Sequence, residues 1–320
     1  MPAARDENVE QFARYAGAAV RTLRAGLGPT QYDYGFDENP TLTPADDWQS
    51  VIEGYRGNGV ITLTDGDYVA TRKLTPRGRL LQITGANLGG ARVTASWSLG
   101  VGVRAVWSGW DWIVPADASL SLRGTQAALA VTDMLIDGAS PSLRGVQIIQ
   151  LIGGDLSMTA SQRDCEVRIG PGITQGFGID RSSLKIAGNT TTKRIKFLDE
   201  GSVNQRNVIA LNQGSSIEAD GLHIINTAGT KNGIGILARR AANIIIQGTG
   251  NNRFQGLYRA ALLRQAANGH FSGVTFESNA RCIMTMEGAA TPTYSPSSVV
   301  FTNNDQIFAT TNSTDGVPFA

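Results

Sequence analysis

Past residue 114 the chain falls into short runs in which apolar and polar side chains alternate, cut by Gly, Asn and Ser. The runs include 119–122, 146–149, 184–186, 208–211, 222–225, 244–246, 274–276 and 298–301. Alternation at a period of two turns one face of each run inward and predicts strands. Asn226, Asn252, Asn279 and Asn304 close or follow several of them, at separations of 26, 27 and 25 residues. A period in the twenties, with strands and no helices between them, predicts a parallel β-solenoid. Asparagine suits a left-handed corner between sheets because its side chain bonds the local backbone, and stacked asparagines bond one another along the axis. At ~25 residues per coil and ~4.8 Å between strands, roughly ten coils make a rod on the order of 50 Å long. Ile224, Ile245 and Phe276 are expected to face its core. A β-propeller would need blades of about 40 residues with a recurrent signature. An α/β fold would need amphipathic helices, and past residue 56 only Ala260–Ala267 has even a weak helical pattern.

Ahead of the solenoid the period changes. Val9, Phe12, Ala16, Ala19 and Leu23 are spaced 3, 4, 3 and 4 apart. That spacing predicts a helix over 7–25 whose short seam needs a partner, since so few heptads do not hold alone. Gly26, Gly28 and Pro29 end it, and a loop with Tyr32, Tyr34 and Phe36 follows. A second helix is expected from Thr43 as N-cap, with Pro44, Asp46 and Asp47 in its first turn and Trp48, Val51, Ile52 and Tyr55 on its apolar face. Then come Gly57-Asn58-Gly59, the strand Val60–Leu63, the turn Asp65-Gly66-Asp67, and Tyr68-Val69.

The run from Trp48 to Tyr68 resembles the opening of the pectate-lyase-like β-helices of phage tailspikes. There a helix caps the solenoid, and a Gly-Gly-Val-Ile-like strand leads through a Gly-x-Tyr turn into the first coil. Asp65 stands where that family often has Pro. The resemblance implies an all-β, right-handed parallel β-helix preceded by short N-terminal helices. It also implies a homotrimeric virion spike or fibre, on a tail or a head, that binds host cell-surface polysaccharide. The expected organisation is residues 1–42 for attachment to other virion proteins, 43–114 as capping helix and solenoid entry, and 115–320 as the β-helix.

Composition narrows the partners. A net charge of +1, with 17% charged residues, lacks the concentrated basic surface that nucleic acid requires. The nearest basic run, Lys193, Arg194 and Lys196, reads as the solvated face of a strand. Cys165 and Cys282 have no CxxC neighbour and sit in strand-like contexts, so buried free thiols are expected and neither a metal nor a cofactor. The N-terminus lacks an apolar h-region, and no stretch approaches 18 apolar residues. Synthesis in the host cytoplasm, location in the virion and no membrane insertion are the expectations.

Candidate chemistry comes from two residue classes. Trp97, Trp107, Trp110 and Trp112 crowd one stretch. Trp107, Trp110 and Trp112 suit a carbohydrate platform, since flat aromatics offer large contact area at low entropic cost. The plainer alternative is that they seal the solenoid entry or fill a subunit interface. Glycoside hydrolysis needs two carboxyls, and a lyase needs a base. Glu218 and Asp220 are i, i+2 and share a face, and Glu277 lies further along. Asp164 with Glu166 and Asp199 with Glu200 are other acidic neighbours. His223 alternates with Leu222 and Ile224 and is expected to face solvent or a neighbouring subunit. His270 is the other candidate base. No Gly-x-Ser-x-Gly elbow supports a triad. A binding spike is the leading reading. A polysaccharide depolymerase, hydrolase or lyase, is the alternative, and a cellular carbohydrate-modifying β-helix enzyme is third.

Overall fold

The computed structural model describes residues 39–311, apart from 56–57, 116–119, 141–145, 189–191, 202–205 and 249–250. The helix expected over 7–25 lies outside the described residues.

Three parallel sheets, of eleven, ten and nine strands, wrap a common core. The result is a parallel β-helix of about nine turns. From Leu80–Gly85 onward each turn supplies one strand to each sheet in the same order. Ser216–Asp220 lies in the first sheet (A), Leu222–Asn226 in the second (B) and Ile234–Ala238 in the third (C). Alternation sets the faces as expected: in Ser216–Asp220, Ile217 and Ala219 are buried while Glu218 is exposed. The ladders run unbroken across residue 115, so the Trp-rich stretch belongs to the same solenoid.

The N-terminal end is closed by a helix, α1 (Trp48–Gly54), that buries Trp48, Val51 and Ile52. Its N-cap is Asp47, whose side chain accepts from Ser50 N, and not Thr43. Thr43 instead donates its N–H and hydroxyl to Asp46, at 2.6 and 3.0 Å, tightening the turn before the helix. The strand Val60–Leu63 follows as expected, and the next, Gly66–Val69, already begins within the turn expected at Asp65-Gly66-Asp67. Tyr68 is buried, and its hydroxyl donates to Leu42 O at 2.6 Å, tying the cap to the first turn.

Two register expectations fail. Ile245 pairs with Glu218 and His270 on the outer face of sheet A, while Ile244 and Ile246 point inward. Three successive isoleucines carry no alternation, so their phase was open to a one-residue slip. Ile224 and Phe276 are in the core as expected. The asparagines do not form one ladder either. Asn279 N–H and Nδ2 both donate to Asn304 Oδ1, at 2.8 and 3.1 Å. Asn252, however, sits at the opposite end of its strand, and Asn226 one position off the rung. Ladder partners Ile224, Phe254, Phe276 and Phe301 are separated by 30, 22 and 25 residues, so a near-constant sequence spacing is not a constant rung. The left-handed residues at corners from sheet C to sheet A include instead Gln126, Arg181, Gln213, Arg240, Gln265 and Glu287.

Both cysteines are buried and free. Burial pushes each thiol up to about 12, so they behave as small core side chains.

Candidate functional site

The four clustered tryptophans are core. Trp97, Trp107, Trp110 and Trp112 are all 0% exposed. Their rings interlock, with centroids 4.9 Å apart for Trp97–Trp107 and 5.4 Å for Trp107–Trp110. Trp112 faces inward from the strand Asp111–Ile113, and Trp110 is buried in the bend just before it, outside the strand whose alternation was expected to pair them. Their indole N–H groups donate to Ile83 O and Ala95 O, at 3.3 and 2.7 Å. No sugar reaches these rings in the folded chain, so the platform reading of Trp107, Trp110 and Trp112 gives way to the sealing one. Sequence clustering located the aromatic mass without telling which face carried it.

The carboxylates are not assembled into one centre. Glu218 and Asp220 share the outer face of sheet A, and Gln247 Nε2 donates to Glu218 Oε1 at 2.7 Å. Glu277 lies on sheet B, where Arg253 Nε donates to it at 3.0 Å and its Nη2 forms an ion pair with the same oxygen. Asp164 holds Lys196 at 2.5 Å. Burial would raise its carboxyl, but bonds from Lys196 and the Arg194 N–H outweigh that and hold it below the usual range. Asp199 is buried against Arg206 in the interior. His270 is exposed on sheet A, with Nδ1 2.9 Å from Thr293 Oγ1. Among the described residues no group of His, Cys, Asp and Glu has the arrangement of a metal site.

What the structure does build is a groove on the outer face of sheet B. It encloses about 320 Å³ and is lined by Arg194, His223, Asn251, Asn252, Arg253, Thr275 and Glu277. The ladder explains the gathering: Lys196, His223, Arg253 and Thr275 are register partners on successive turns, all outward and half-buried. Such partners repeat at ~4.8 Å. Gly221, with φ of 74°, turns the chain from sheet A into sheet B just before His223. A Cβ there would stand 2.9 Å from Gly188 Cα, so the corner is closed to larger residues.

The groove floor is pinned by the buried Asn252. It accepts from Leu222 N at 3.0 Å and donates to Gln247 O and Gly273 O, at 2.9 and 3.2 Å, bridging successive turns. His223 Nε2 lies 2.9 Å from Asn251 O. A carbonyl only accepts, so Nε2 carries the proton and Nδ1 is the basic nitrogen of the neutral ring. Burial lowers the imidazole to about 4; the bond to Asn251 works against that shift, while the charges of Arg194, Lys196 and Arg253 work with it. Arg194 Nη2 donates to Asn251 Oδ1 at 3.0 Å.

No family model matches the chain, and neither does any curated protein or solved structure.

The assembled groove is therefore the basis for assigning chemistry. It offers guanidinium, amide, hydroxyl and carboxylate groups in fixed positions, with one carboxylate that is already engaged by arginine. Sequence reasoning nominated His223 and Glu277 separately but missed Arg194, Asn251, Asn252, Arg253 and Thr275. Their convergence depends on turn lengths of 22 to 30 residues between partners, and no local pattern carries those.

Proposed function

We propose that this protein is a spike or fibre of a phage or phage-like particle that binds host cell-surface polysaccharide. The observation that carries the reading is the pre-formed polar groove on sheet B. Arg253, Asn251, Thr275 and Glu277 supply the donors and acceptors that sugar hydroxyls need, on a floor held by the Asn252 bonds. Such a shallow site binds weakly alone. Three copies in a trimer, and many on one particle, raise the strength through effective concentration. Residues 1–42 are the segment assigned to attachment to other virion proteins.

The groove favours binding over hydrolysis. Hydrolysis requires an acid and a second carboxyl around 5–10 Å apart, whereas among the described residues Glu277 is the one carboxylate lining the groove, and Glu218 and Asp220 belong to another sheet. Incubating the protein with host capsular or lipopolysaccharide glycan and following chain length by size-exclusion chromatography tests this. Co-elution at unchanged chain length is the expected result. Shortened chains, with the shortening lost in Glu277→Gln or Glu218→Gln, would establish the depolymerase instead.

A further inference from the structure

The basic run at 193–196, which the sequence leaves as a solvated strand face, belongs to the groove. Arg194 lines it beside Arg253. Lys196 is the register partner of His223, one turn away on the same outer face. Lys196 and Arg253 flank His223 as its register partners on the two adjacent turns, and Arg194 lines the groove beside them. Their carboxylate partners are Asp164 on Lys196 and Glu277 on Arg253. The next acidic residue along the column, Glu166, is bonded to Arg168 at 2.6 Å. Among the described residues, the lining includes two arginines, Arg194 and Arg253, and one carboxylate, Glu277. Arg253 bonds Glu277 through Nε and Nη2, leaving its Nη1 edge for a ligand.

We infer that this groove selects a carboxylated sugar, a uronic or nonulosonic acid residue of an acidic glycan. The inference rests on the glycan-binding reading above. The sugar carboxylate sits between Arg253 and Arg194, where a guanidinium fork matches a planar two-oxygen anion. Asn251, Thr275 and Glu277 take the ring hydroxyls. A neutral hexose would give the Nη1 edge of Arg253 no anionic acceptor.

Binding is measured on the full chain by biolayer interferometry. The probes are immobilised bacterial capsular polysaccharides with neutral and with acidic repeats, carboxyl-reduced forms of the acidic ones, and dextran sulfate. Acidic polymers are expected to bind at least about tenfold tighter than their reduced forms, a difference shrinking between about 50 and about 500 mM salt. Arg253→Gln and Arg194→Gln should each lose about tenfold, with Arg253→Lys intermediate. Arg104→Gln, the same charge change on the exposed face of sheet A, should lose nothing; circular dichroism confirms that each variant is folded. Equal binding of native and reduced polymers, or equal losses in Arg104→Gln, would overturn the acidic-sugar assignment while leaving glycan binding intact. Dextran sulfate binding as tightly as the uronates would overturn the carboxylate. Failure of every polysaccharide to bind would overturn the functional reading itself.

Discussion

Phe276→Ala is expected to cost about 3–5 kcal/mol of stability. Phe276 is fully buried and stacks between Phe254 and Phe301, at 5.4 and 5.3 Å, with the edge of Phe271 at 5.9 Å. Truncation removes the transfer energy of the ring, its ring–ring contacts, and the support its neighbours on both adjacent turns draw from it. Parallel strands above and below are held in register by their own hydrogen bonds, so the gap cannot easily collapse. Phe276→Leu keeps most of the volume and should cost far less. Phe301→Ala should also cost less, because Phe301 is only partly buried and its strand is the last of sheet B. Chemical denaturation measures equilibrium losses, and unfolding rates serve if refolding is not reversible. A loss under about 1 kcal/mol for Phe276→Ala would contradict the stacking register.

The second large effect is electrostatic. Arg206 and Asp199 are 0% and 1% exposed, with Nη1 3.0 Å from Oδ1. Arg206 also donates to Ile169 O and Gly170 O at 2.8 Å each, and Gly201 N donates to Asp199 at 3.1 Å. This cluster holds the corner between sheets B and C. Burial pushes the Asp199 carboxyl up, and the arginine charge opposes that. Arg206→Leu strands the carboxylate and should cost about 3–5 kcal/mol near neutral pH. The pH dependence has a definite sign. Without the arginine, the folded-state pKa of Asp199 rises further above its unfolded value, so the native state binds more protons and stability falls as pH rises through that window. The deficit of Arg206→Leu relative to wild type should therefore shrink toward acid pH. The double variant Asp199→Asn with Arg206→Leu should recover part of the loss at neutral pH. A deficit that grows on acidification would contradict the pairing.

The strands were legible because alternation between Gly, Asn and Ser breaks is a local signal. Val146–Ile149, Leu222–Ile225 and Val274–Phe276 each fall within a strand. The capped entry from Trp48 to Tyr68 was legible for the same reason, apart from the shift of the cap to Asp47. Phase was legible only where polar residues mark it. Glu218 and Asp220 were correctly placed on one face, whereas Ile244–Ile246 offered no marker and Ile245 was assigned inward. The tryptophans show the same limit: the spacing of Trp110 and Trp112 does not tell inside from outside, and Trp110 lies in the bend before the strand. The groove was hidden for a different reason. His223, Arg253 and Thr275 meet because they occupy one column across three turns, and turn lengths vary too much for sequence spacing to reveal a column. Arg206 was hidden because an arginine outside any alternating run is expected to be solvated.

The most direct test of the central claim is hydroxyl-radical footprinting of the protein with and without a bound acidic capsular polysaccharide, with polymer length checked in the same sample. His223, in the groove, and His270, exposed on sheet A, are the only two histidines and serve as probe and internal control. The expected result is loss of oxidation at His223 and at neighbouring groove residues, unchanged oxidation at His270, and a polymer of unchanged length. Protection centred on His270 and the Glu218 face with His223 unaffected, or a shortened polymer, would contradict it.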